Sequence, residues 1–317
     1  MGVLPARLAA VSLGILLAIG AAMVSARFLP PETLSAFHIA SEEQGPPEVE
    51  SRLAKEAQAR NTKVVEELSR LGVHPWAGVY RTADLWPDEL VLAPEAGFTL
   101  YRGSWCGSCA RFTALGKVLA VEGSTLKLEV ELAEPDDTSA AWIGLDDTLH
   151  LVRWGELTFA VPASRMELFC AEASDGETFP SVPFRYARTP GDHEHPLRPS
   201  GKPAIPREFE HLLLDAPVAG SITALVEWRR RPELDGKEQL AYDACFTLDV
   251  GAQDGLAVGM HLFVPGVRRP DRFSGRVEAV ERDTARFQML VYEDRREWAR
   301  TLVGQGVSTR APEPKSR

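Results

Sequence analysis

The strongest chemical signal in this chain is a pair of cysteines two residues apart, in Trp105-Cys106-Gly107-Ser108-Cys109. Two thiols at that spacing can close a small ring, and a helix N-terminus behind the first would lower its pKa and make it nucleophilic. The same pair could act as two thiolate ligands. With His193 and His195 it would complete a four-coordinate tetrahedral metal site. Those histidines sit beside Asp192 and Glu194 in a Pro-rich stretch, where polar residues are usually plain solvated surface. A helix N-terminus behind Cys106 would need a helix directly after the motif, yet only Ala110–Leu115 separates Cys109 from a strand pattern at Gly116. A short loop disulfide between Cys106 and Cys109, or a reduced pair, is the plainer expectation. Cys170 and Cys245 complete the set of four, and all three full pairings stay open.

Other catalytic arrangements are absent from the sequence. It has no G-x-S-x-G elbow, phosphate loop, H-E-x-x-H, or G-x-G-x-x-G after a strand. Asp136-Asp137 and Asp146-Asp147 sit in turn-like contexts, where Asp caps backbone groups. Nothing marks two carboxylates as facing across a cleft, as glycoside hydrolysis requires. Trp86, Trp105, Trp142, Trp154 and Trp228 could line a ligand pocket, but aromatic core is their commoner role. His150 and His261 read as single strand residues, at the core rim or exposed. No catalytic residue is expected beyond the Cys106/Cys109 alternative, no metal beyond the Cys106, Cys109, His193 and His195 alternative, and no cofactor.

The elements that would position these residues begin with an export signal. Arg7 is the one charged side chain before an apolar run from Leu8 to Val24, and Ser25-Ala26 supplies small residues after it. A cleaved signal and a retained single-span anchor both fit residues 1–26. Either places the rest outside the cytoplasm, in the periplasm or on the outer face of the cytoplasmic membrane. The membrane is a partner if the run is uncleaved. The net charge is −10 over 317 residues and no basic stripe appears, which argues against nucleic acid. That length has room for about two domains.

Residues 27–47 read as linker and 48–72 as a stem helix rich in Ala, Glu, Lys, Arg and Leu. Ala57, Val64, Val65, Leu68 and Leu71 fall near one face, and Gly72 closes the helix. The stem either dimerises as a short coiled coil or docks on its own domain. Residues 73–178 then show short alternating runs split by Gly-bearing turns. Residues 179–215 form a Pro-rich connection, 216–307 a second β-domain, and 308–317 a disordered tail. The expected fold is mostly β, with two small antiparallel barrel-like domains after the signal and stem. One echo stands out: Gly116-Lys117-Val118-Leu119-Ala120-Val121-Glu122 parallels Gly275-Arg276-Val277-Glu278-Ala279-Val280-Glu281.

Three resemblances sit on these residues. Gly78-Val79-Tyr80, the Gly97-Phe98 turn and the Gly116 hairpin resemble a lipocalin-like β-module, which implies a carrier of a small apolar ligand if the barrel is hollow. Gly255-Leu256-Ala257-Val258-Gly259 and the Gly275–Val291 hairpin resemble small β-barrel modules of bacterial cell-envelope proteins, of the rod-shape-determining MreC kind and of flagellar assembly proteins. That likeness implies a packing or assembly module, with Gly255 and Gly259 at turns and Leu256 plugging the barrel end. The Trp-Cys-x-x-Cys segment resembles a thioredoxin active site, although its flanks do not. Together they point to an exported, non-enzymatic envelope protein with a structural or binding role and an envelope-protein partner.

Overall fold

Short alternating runs close into a barrel. The computed structural model describes residues 47–72, 74–82, 88–102, 111–133, 147–155, 157–175, 186–187, 201–232, 240–264 and 275–310. Strands β1 (Gly78–Arg81), β2 (Glu89–Ala93), β3 (Gly97–Arg102), β4 (Arg111–Glu122), β5 (Thr125–Ala133), β6 (Thr148–Trp154) and β7 (Leu157–Pro162) pair antiparallel in order. Strand β8 (Tyr186–Ala187) pairs with β7 and returns to β1 through Arg81 and Ala187, closing the ring. This last strand lies inside residues 179–215, expected as surface connection only. The barrel therefore recruits part of that connection, because the open edges of β1 and β7 need backbone partners. Tyr80, Leu90, Leu92, Phe98, Leu100, Leu126 and Leu149 point inward into one packed cluster. Tyr80 Oη donates to the carbonyl of Trp76 at 2.6 Å, so even its polar end is satisfied.

Helix α1 (Pro47–Leu71) lies along β2, β3 and β4. Pro at its first position presets φ. Its apolar stripe is thin: Ala57 and Val64 are buried, but Val65 and Leu71 stand exposed. Polar groups do the rest of the docking. The buried Glu67 carboxylate accepts the Glu95 and Ala96 N–H groups at 2.9 and 2.6 Å. Arg60 donates to the carbonyls of Ala96 and Gly116 at 3.0 and 2.8 Å and to Glu131 at 2.5 Å. The stem helix is therefore docked on its own barrel, in place of a free coiled-coil stalk. No helix among the described residues is long and apolar enough to cross a membrane.

Helix α2 (Met166–Asp175) follows β7 through a 3₁₀ turn at Ala163–Arg165. The second sheet contains β9 (Ala219–Arg230), β10 (Ala241–Leu248), β11 (His261–Leu262), β12 (Gly275–Val280), β13 (Ala285–Tyr292) and β14 (Gly306–Ser308). Its order is β11-β12-β13-β10-β9-β14. Phe263 and Ser308 exchange backbone hydrogen bonds of 2.6 and 3.1 Å, which brings the two ends of the order together and nearly closes a second barrel. Helix α3 (Arg296–Arg300) follows β13. Phe246 and Phe287 stack at 5.1 Å in the core of this sheet, and Leu256 is buried in the same cluster.

The two β-units are not separate bodies joined by a linker. Val152, Trp154, Phe159, Met166 and Phe169, from β6, β7 and α2, belong to the same buried cluster as Ile222, Phe246, Met260 and Phe287. Trp154, Phe159 and Phe169 hold that shared core with ring contacts of 5.7 to 6.4 Å.

The sequence echo has a geometric counterpart. A Cβ on Gly116 would lie 1.9 Å from the Glu129 carbonyl oxygen and 2.6 Å from the Phe98 ring. One on Gly275 would lie 2.5 Å from the Gln288 carbonyl oxygen and 2.9 Å from the Phe287 ring. Each glycine thus lets an aromatic ring cover bare backbone. Each is followed by a bulge at the equivalent place, between Val118 and Ala120 and between Val277 and Ala279.

Candidate functional site

The sequence-derived candidates divide sharply. Cys106, Cys109, His193 and His195 lie outside the described residues, as do Trp86, Trp105 and Trp142. The flanks of the cysteine pair are described. Arg102 at the end of β3 pairs with Arg111 at the start of β4, so residues 103–110 connect two antiparallel strands, and strand follows from Arg111 where the redox reading needs a long helix. Cys170 and Cys245 are buried free thiols, so neither supplies a disulfide. Burial pushes the Cys170 thiol up to about 12 and the Cys245 thiol up to about 11, which leaves both protonated and inert at neutral pH. Among the described residues no group of three or more His, Cys, Asp or Glu could hold a metal.

The remaining aromatic and histidine candidates have packing roles. Trp154 is buried and donates its Nε1–H to the Gly201 carbonyl at 2.8 Å. Trp228 and Tyr242 lie under the Arg296 guanidinium, each ring centre 4.8 Å from Cζ. His150 is buried on β6, 3.2 Å from Thr125 Oγ1 and edge-on to Phe209. Burial lowers its pKa. In the first barrel, Tyr80, Leu90, Phe98, Leu100 and Leu126 pack together in one buried cluster.

Long-range packing assembles a different constellation. His261 on β11 and Arg276 on β12 are register partners, so their side chains share one face. The first turn of α2 brings Glu167 to that face. Arg276 donates Nε–H and one Nη2–H to the two Glu167 carboxylate oxygens, the second at 2.5 Å, in a bidentate pair 109 residues apart in sequence. Gly259, at φ +91°, precedes β11 and passes close to the same carboxylate. Arg165 and Ser164 from the 3₁₀ turn and Phe209 from the Arg207–Leu212 turn complete the walls of an open cleft of about 430 Å³.

The electrostatics of this cleft are defined. The hydrogen bonds that Arg276 donates to the Glu167 carboxylate raise its pKa and keep it charged. Burial pushes the half-buried His261 imidazole down to about 4, with Arg276 and Arg165 adding to the depression and Glu167 opposing it. At neutral pH the cleft therefore carries two guanidiniums, one carboxylate and a neutral imidazole. It can orient and hydrogen-bond a polar ligand.

Sequence reasoning named His261 only as a strand residue and quoted Arg276 only within the hairpin echo. It passed over Glu167, Arg165 and Phe209. The available signal was the turn Gly255–Gly259, which forces the chain to reverse just before His261. No protein-family model, curated protein or solved structure matches this chain.

Proposed function

We propose that this protein is an exported, non-enzymatic component of the cell envelope that works by binding. The observation that carries the reading is the junction cleft, a concave, charged and aromatic surface held between two β-units that share one core. The shared core fixes the cleft walls relative to one another, which suits recognition. Neutral His261, paired Glu167 and charged Arg276 suit hydrogen bonding more than proton transfer at neutral pH. The apolar run Leu8–Val24 with Ser25-Ala26 supports export.

The test is a fusion of the full chain to a reporter active only outside the cytoplasm, combined with cell fractionation. Reporter activity, with the chain in the periplasmic or membrane fraction, is expected. Full-length chain in the soluble cytoplasm with a silent reporter overturns the envelope reading.

A further inference from the structure

We infer that the junction cleft is a binding site for a small organic anion, an acidic head group on an apolar or aromatic body, gripped by the free edge of Arg276. The inference rests on the binding reading above and gives it a ligand class. A guanidinium has five N–H donors in a fixed fork. Glu167 engages Nε–H and one Nη2–H, and among the described residues no hydrogen bond uses Nη1. The pair with Glu167 fixes the plane of the guanidinium, because a bidentate contact removes its rotational freedom. Arg276 is thus a positioned cation, partly exposed on the cleft wall, with a second edge suited to a carboxylate or a phosphate.

Local charge points the same way. The whole chain carries −10, yet two arginines, Arg165 and Arg276, line this cleft, the second beside the Glu167 and Glu278 carboxylates. A guanidinium on the wall of a depression attracts an anion. The apolar part of the ligand is specified by Phe209, which is partly exposed in the same cleft with the buried Leu168 behind the wall. At about 430 Å³ the cleft falls within the usual range for small-molecule sites. An inorganic anion would use the arginines and leave the exposed part of Phe209 uncovered. An organic acid with a ring or short aliphatic body uses both.

Calorimetric titration of the full-length chain separates the possibilities, using naphthoate, its neutral analogue naphthalenemethanol, and inorganic phosphate as probes. Naphthoate is expected to bind saturably at one site per chain, at least about tenfold tighter than either of the others. Arg276→Gln should weaken naphthoate binding by about tenfold or more, and Phe209→Ala should weaken naphthoate while leaving phosphate unchanged. Arg165→Gln leaves the Glu167–Arg276 pair intact, so it serves where Arg276→Gln fails to give native circular dichroism. It too should weaken naphthoate. The site assignment is overturned by absence of naphthoate binding, by equal binding of the alcohol, or by wild-type affinity in both arginine variants. Phosphate binding as tightly as naphthoate overturns the ligand class. Failure here together with an active export reporter would leave the envelope placement standing and remove only the ligand assignment.

Discussion

Gly259 passes so close to Glu167 that a Cβ at residue 259 would lie 2.8 Å from the carboxylate oxygen Oε1. The glycine also adopts φ +91°, a conformation that L side chains rarely take. Two separate constraints therefore act on one position: backbone strain and a clash with the partner of Arg276. Gly259→Val is expected to cost about 2–4 kcal/mol, the left-handed strain plus displacement of Glu167. Gly255, at φ +89°, meets only a 3.8 Å contact, so Gly255→Val should cost the strain alone, about 1–2 kcal/mol. Thermal melts of the full chain check the ranking. Equal loss in the two variants would show that the Glu167 contact contributes nothing.

Removing the Glu67 carboxylate should loosen α1. In Glu67→Ala the Glu95 and Ala96 N–H groups lose their acceptor beneath the helix, at a cost of about 1–3 kcal/mol. Limited proteolysis within Pro47–Leu71 should accelerate while the barrel strands stay protected. Wild-type proteolysis rates in the variant would contradict the docking role.

Acid should weaken the fold through His261. The unfolded chain takes up this proton near 6.5 and the folded chain only near 4. The stability contributed by the neutral imidazole is therefore full above about pH 6.5 and falls steadily toward pH 4, by on the order of 2 kcal/mol given its partial exposure. Burial shifts His150 in the same direction. His261→Gln should flatten the pH dependence of the melting temperature across that window. Imidazole resonances of His261 that titrate at an ordinary pH would refute the assignment.

The cysteine pair should be dispensable for folding. Residues 103–110 join the antiparallel strands β3 and β4, whose register Arg102–Arg111 is set by backbone pairing. A bridge between residues three apart closes too short a loop to add much stability. Cys106→Ser with Cys109→Ser is expected to melt within about 2 °C of wild type. The wild type should reduce insulin no faster than a free dithiol. Catalysed insulin reduction lost in the double variant would make thiol-disulfide exchange the leading activity.

What the sequence made legible was local. The Trp154-Gly155 turn, the Gly275–Val291 hairpin and the positive φ of Gly255 and Gly259 all follow from period-two alternation and glycine chemistry within a few residues. The barrel-closing pair Tyr186–Ala187 carried no such signal, because it is two residues long and defined by the edges it meets. Glu67 carries no sequence signal for docking, since its partners are backbone groups in a distant turn. Glu167 and Arg276 were equally silent, because charged residues at a helix start and on a strand are ordinary until packing places them together.

The bridge between Phe263 and Ser308 has a consequence for biogenesis. Strand β14 comes last among the described strands, yet it covers the free side of β9 and ties down the chain beside β11. While the polypeptide is being made, those edges stay unsatisfied until residues near 308 emerge. The apolar faces of β6, β7 and α2 also wait for the later strands that share their core. Until those later strands are made, the earlier ones expose open edges and apolar faces on which intermolecular strand pairing can start.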